Sequence, residues 1–99
     1  MKAKLVDEHN AKVEYPLPDK KEVTIGSGQT DDIVIKQHSV APKHAKITYF
    51  KGQYAIWNLS DLGTYVNGTD IRSTDLNMLE NDDKIRFGPY CQMKFILEQ

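Results

Sequence analysis

The chain has 99 residues, 39% of them apolar and 27% charged, the balance of an ordinary soluble globular domain, and it is long enough to bury a core without staples, which become necessary below roughly 70–80 residues. A formal net charge of −1 excludes the basic excess of a nucleic-acid module, and the single cysteine, Cys91, excludes an internal disulfide and fits a reducing compartment. Residues 1–8 lack the apolar run of a signal peptide and no stretch approaches 18 consecutive apolar residues, so the expectation is one cytoplasmic domain over 1–99, with no membrane partner.

Short apolar segments recur along the chain with turn residues between them. Ala3 and Leu5 alternate with lysines, and Val13, Tyr15 and Leu17 alternate with Lys12, Glu14 and Pro16. Proline cannot donate to a ladder, so Pro16 and Pro18 predict that residues 13–18 form an edge strand or end early. Val23 and Ile25 alternate next, followed by the short run Ile33-Val34-Ile35, and then by Ala45, Ile47 and Tyr49. Tyr54 to Leu59 is apolar on both parities, which predicts a strand covered on both faces. Asn67-Gly68, flanked by Thr64-Tyr65-Val66 and by Thr69 and Ile71, predicts a tight type I′ hairpin, because both central positions must accept φ > 0. Ser73 to Glu80 allows one helical turn or an irregular crossover holding Leu76 and Leu79 in the core. Ile85 and Phe87, then Met93, Phe95 and Leu97, complete the period-two pattern. Ten or so short strands at this spacing predict an all-β sandwich or barrel.

Candidate chemistry is sparse. Gly26-Ser27-Gly28 lacks the remainder of either phosphate-binding fingerprint, and Asp31 and Asp32 would repel a nucleotide; the stretch reads as a turn. His38 and His44 with Asp31 or Asp32 match no zinc spacing, and His44 reads as a partly buried histidine fixing a loop through hydrogen bonds. Cys91 has no base or orienting group pointing to it, and Glu80, Asp82 and Asp83 read as a solvated acidic turn. The triplets beginning at Asn58 and Asn67 fit glycosylation only by chance without a secretion signal. No enzyme activity, cofactor or metal is expected.

Taken together, five segments resemble the forkhead-associated (FHA) domain family over about Val23 to Phe95. Val23-Thr24-Ile25-Gly26 resembles the strand that ends in Gly-Arg, and Asp32-Ile33-Val34-Ile35 the Asp-Ile-x-Ile run. Val40-Ala41-Pro42-Lys43-His44-Ala45-Lys46-Ile47 is similar to Val-Ser-Arg-x-His-Ala-x-Ile. The stretch from Asn58 to Gly68 resembles Asp-Leu-x-Ser-x-Asn-Gly-Thr-x-Val-Asn-Gly with one residue fewer, and Leu79 to Gly88 resembles Leu-x-x-Gly-Asp-x-Ile-x-x-Gly. The resemblance implies a β-sandwich of about eleven short, mostly antiparallel strands, with loops at one end that bind phosphothreonine peptides.

The departures fall on the positions that the resemblance assigns to ligand contact. Ser27 stands where the family has its phosphate-gripping Arg, Ala41 replaces the phosphate-binding Ser, and Pro42 the next polar residue. Asp61 replaces a Thr that commonly touches phosphate, and Leu62 the Asn that holds the peptide backbone. Gly26, His44, Gly63, Thr64, Asn67 and Gly68 match at positions whose implied role is architectural. A hydrogen bond to a charged group contributes roughly 1.5–3 kcal/mol, so losing the Arg and Ser partners would take a micromolar site of roughly −8 kcal/mol to millimolar or weaker. The expectation is a phosphorylation-independent protein-interaction or scaffold module. Two other readings follow: a phosphothreonine reader using a relocated cation, with Lys43 first and Lys36, Lys20 and Lys21 behind it, or a regulatory domain that docks on or dimerises an enzyme within a longer parent protein.

Overall fold

The computed structural model describes residues 2–72 and 77–98, and among them the expected alternation becomes two stacked open sheets. One sheet has six strands in the order β2-β1-β11-β10-β7-β8, with β1 Lys2–Asp7, β2 Glu14–Pro16, β7 Thr64–Val66, β8 Thr69–Asp70, β10 Lys84–Phe87 and β11 Cys91–Glu98. The other has five in the order β4-β3-β5-β6-β9, with β3 Glu22–Gly26, β4 Ile33–Val34, β5 Ala45–Phe50, β6 Gln53–Asn58 and β9 Asn77–Leu79. Every pairing is antiparallel except β3 with β4. The architecture is an all-β sandwich.

Side chains alternate across a strand, and the inward set is the one the sequence pattern marked. Ala3, Leu5, Ile85, Phe87, Met93 and Phe95 from the first sheet meet Val23, Ile25, Ile47 and Ile56 from the second in one buried cluster. Aromatic pairs join the layers: Tyr54 meets Phe95 edge-on with ring centroids 5.4 Å apart, and His44 meets Phe87 edge-on at 5.6 Å. Pro16 lies on β2, which is an edge strand, as a residue without an N–H requires. β6 runs between β5 and β9, and Tyr54, Ala55 and Ile56 are all buried, although Trp57 is half-buried and Leu59 is exposed.

One expectation needs correction. Asn77–Leu79 is neither a helical turn nor irregular; it is a strand that pairs Leu79 with Tyr54 and Met78 with Ala55. The edge of β6 offers unpaired backbone groups, and the alternation of exposed Met78 with buried Leu79 suits a strand laid along that edge. Leu76 lies outside the described residues.

The strand directions gather the connections at residues 27–32, 35–44, 59–63 and 88–90 at one end of the sandwich, with the β1–β2 connection, residues 8–13, at the same end. The opposite end holds the start of β1, the end of β11 and the β2–β3 connection.

Candidate binding loops

His44 organises the loop end. It enters β5 with its side chain fully buried. Its Nδ1 accepts the Ala41 N–H at 3.1 Å, so the proton sits on Nε2, which donates to the Gly63 carbonyl at 2.7 Å. The same Gly63 carbonyl accepts the Gly88 N–H at 2.9 Å, and the His44 carbonyl accepts the Leu59 N–H at 2.9 Å. One neutral imidazole therefore ties together the 35–44, 59–63 and 88–90 connections. Burial pushes its pKa below the usual histidine value against the opposing effect of the Gly63 carbonyl.

The 59–63 loop is braced from within. The Asn58 amide donates to the Ser60 carbonyl at 2.8 Å and accepts the Thr64 hydroxyl at 2.8 Å, and the Ser60 hydroxyl accepts the Leu62 N–H at 3.0 Å. Thr64 is fully buried, so its hydroxyl needs that partner. Gly63 has φ +85°, a left-handed conformation natural to glycine. Arg72 holds the loop from outside: its guanidinium chelates Asp70 and donates from Nη1 to the Asp61 carbonyl at 3.1 Å.

Gly26 is needed for close approach rather than for a turn. A Cβ there would lie 2.5 Å from Lys43 N, 2.6 Å from Ala41 O and 2.6 Å from Asp31 Oδ2. Asp31 is buried beneath this junction, and its Oδ2 accepts the N–H groups of Gly28 at 2.9 Å and Lys43 at 3.0 Å. Two loop amides that an incoming anion would seek are already satisfied by the protein's own carboxylate. Asp31 Oδ1 is buried with no hydrogen-bond partner among the described residues. Asp32 faces outward in a different role: it accepts the Lys20 ammonium at 2.6 Å and the Thr24 N–H at 3.0 Å, which hold its carboxyl below the usual carboxylate range.

Ser27, Ala41, Pro42, Lys43, Asp61 and Leu62 share this end, whereas the Asn67-Gly68 turn lies at the other end of β7. Ser27 donates its N–H to the Ala41 carbonyl at 3.1 Å, which sets those two loops side by side. Pro42 and Lys43 are exposed, and Lys43 has φ +48°. Asp61 and Leu62 are exposed on the 59–63 loop. Lys36 stands beside the grip position, its ammonium donating to the Ser27 carbonyl at 3.2 Å. Lys20 is occupied by Asp32. Asn67 and Gly68 form the hairpin turn with φ of +51° and +85°, and the Asn67 side chain bonds Asp83 and the Lys84 N–H. Asp83 thereby latches the acidic turn, while Glu80 and Asp82 are exposed.

The pattern gave no sign of Asp31 as an internal anion or Arg72 as an outer brace; a carboxylate three residues after Gly28 was the available signal for the first. Leu62, singled out from the sequence, is 46% exposed, and two further apolar side chains at this end that the pattern passed over are exposed as well: Leu59 at 50% and Tyr90 at 75%. No grouping of three or more His, Cys, Asp or Glu suited to a metal occurs among the described residues. Among the described residues no helix is long and apolar enough to cross a membrane.

No curated protein matches the chain in sequence. Solved structures match it along its whole length. The N-terminal FHA domain of Rad53p from S. cerevisiae, solved with a phosphothreonine peptide, aligns with TM-score 0.86 at 15% identity, covering 99% of this chain and 94% of that one. The FHA domain of CT664 from Chlamydia trachomatis aligns with TM-score 0.84 at 24% identity over 100% of both chains. EmbR of Mycobacterium tuberculosis, solved with a low-affinity phosphopeptide, aligns with TM-score 0.85 at 28% identity over 98% of this chain and 24% of that one. The FHA domain model matches residues 23–88, the span that carries the His44 junction with the 27–32, 35–44 and 59–63 loops, and on that match the chain belongs to the FHA domain family of protein-interaction modules.

Proposed function

We propose that this FHA domain binds a protein partner through its loop end without needing a phosphate. The observation that carries the reading is Asp31: a buried carboxylate accepts the Gly28 and Lys43 N–H groups beneath the loop where Ser27 stands in place of the family's Arg. A phosphate brings a further charge of about −1.5 to −2 to a place that already holds an anion and lacks a bidentate donor. The exposed apolar side chains Leu59, Leu62 and Tyr90, with Pro42 nearby in the rim, suit an interface whose centre is desolvated. Titration with a phosphothreonine peptide library and its unphosphorylated twin tests this: equal or absent responses in amide NMR support it, and phosphate-dependent micromolar binding overturns it.

A second reading is favoured by one contact. The Lys36 ammonium stands 3.2 Å from the Ser27 carbonyl, over a shallow depression formed with Gln37 and His38. A lysine can hold phosphate as a point charge. If phosphopeptide binding is found, this reading expects Lys36→Ala to abolish it and Lys43→Ala to weaken it less; unchanged affinity in both variants overturns it.

A further inference from the structure

The end of the sandwich opposite the loops is open. The β2–β3 connection crosses it from one sheet to the other: the Leu17 N–H donates to Ala3 on β1 at 2.9 Å, and the Tyr49 N–H on β5 donates to Lys21 at 2.9 Å. Beneath this strap lies a cavity of about 630 Å³, within the 300–1,000 Å³ typical of ligand pockets. Its floor is apolar, built from Leu17, Val23 and Ile47 with the rings of Tyr49 and Tyr54, whose centroids are 4.8 Å apart.

Tyr54 supplies a hydroxyl to the cavity wall. The residue is 8% exposed, yet its phenol has no hydrogen-bond partner among the described residues. The oxygen is not sealed from solvent, and Tyr54 lines the cavity. Burial, then Tyr49 and Asp19, push its pKa up, so it stays a neutral hydroxyl that can accept as well as donate.

The mouth is net acidic. Lys4 is shared between Glu14 at 2.8 Å and Glu98 at 3.4 Å, and Lys20 is engaged by Asp32 outside the cavity at 2.6 Å. Asp19, on the strap, has no ion-pair partner among the described residues. Aromatic rings, a free phenol and an unpaired carboxylate over an apolar floor are complementary to a cation on an apolar stem.

We propose that this cavity is a binding site for an alkylammonium group, carried either by a small amine or by the lysine side chain of a partner. The site is remote from the loop end and independent of how that end reads its ligand. The test is amide NMR of the 99-residue chain titrated with n-pentylamine, with n-pentanol as the uncharged match, and with a short alanine peptide containing one lysine. Saturable shifts centred on Asp19, Tyr49 and Tyr54 are expected with pentylamine, the lysine peptide or both, at millimolar concentration, and which probe binds identifies the source. Tyr54→Phe keeps the ring and should weaken binding roughly tenfold, the scale of a lost hydrogen bond to a charged group; Asp19→Asn, on an exposed strap, should weaken it by a similar factor without altering the fold. Pentanol binding as tightly as pentylamine, absence of saturable shifts with either cation, or unchanged affinity in both variants overturns the proposal.

Discussion

His44 Nε2 donates to the Gly63 carbonyl at 2.7 Å while His44 Nδ1 accepts the Ala41 N–H at 3.1 Å. Only the neutral ring satisfies both, because a second ring proton would face the Ala41 N–H. His44 therefore belongs to the frame that presents the loops.

The first prediction concerns pH. The folded pKa of His44 lies below its unfolded value, chiefly through burial, so the unfolded chain takes up the proton more readily. The stabilisation is complete above about pH 6.5, the ordinary histidine value, and is lost as pH falls below it towards the folded pKa. Urea unfolding at pH 7.5 and 5.5 should show lower stability at 5.5, and the His44 ring resonances should titrate below the unfolded value. His44→Ala leaves the Ala41 N–H without its partner, reduces the Gly63 carbonyl to its bond from Gly88, and opens a hole beside Phe87; it should cost about 3 kcal/mol at pH 7.5. A histidine midpoint at or above 6.5 contradicts this account.

The second prediction separates two kinds of glycine. Gly26→Ala drives a Cβ against Ala41 O and Lys43 N, which are backbone atoms of a braced loop. It should cost about 2–3 kcal/mol as overpacking, with amide shifts in residues 41–43. Gly68→Ala meets nothing within 4 Å, and its only cost is φ +85°, about 1 kcal/mol. Equal costs in urea unfolding would contradict the distinction.

The third prediction concerns Cys91. It is 1% exposed at the start of β11, and burial, with a smaller effect from Asp7, pushes its thiol up to about 12. The thiolate is the reactive form, so the folded chain should be inert to a disulfide reagent at pH 8 and react fully in urea. Fast modification of the folded chain would show that β11 opens locally.

The sandwich was legible because its core residues obey period two and its turns use residues with a steric reason to be there. Asn67-Gly68 and Pro16 are the plainest cases: φ of +51° and +85° at the first, and an edge strand at the second. Asn77–Leu79 was not legible, since three residues are too few for a period and its strand character comes from the edge of β6. His44 as a brace was readable from its place before an alternating segment. Asp31, Arg72 and the Tyr54 phenol were not, because each matters through groups far away in the chain: Asp31 through Lys43, Arg72 through Asp61, and Tyr54 through the strap that carries Asp19.

The last prediction asks whether the loop frame is still able to grip phosphate. The Ser27 N–H is fixed to the Ala41 carbonyl at 3.1 Å, so the two substituted positions face each other across adjacent loops. Ser27→Arg with Ala41→Ser returns a bidentate donor and a hydroxyl to a frame held by His44. Each hydrogen bond to a charged group contributes roughly 1.5–3 kcal/mol, against which Asp31 beneath the loop and exposed Asp61 act as fixed negative charges. The double variant should bind a phosphothreonine peptide at least tenfold more tightly than the parent chain, with the gain shrinking as salt rises. Asp61→Thr added to it should increase affinity again by removing one repulsion. If the double variant folds, as judged by its urea transition, and still gives no phosphate-dependent shifts at residues 27, 41 and 61, then the frame itself no longer presents these loops in a phosphate-binding arrangement.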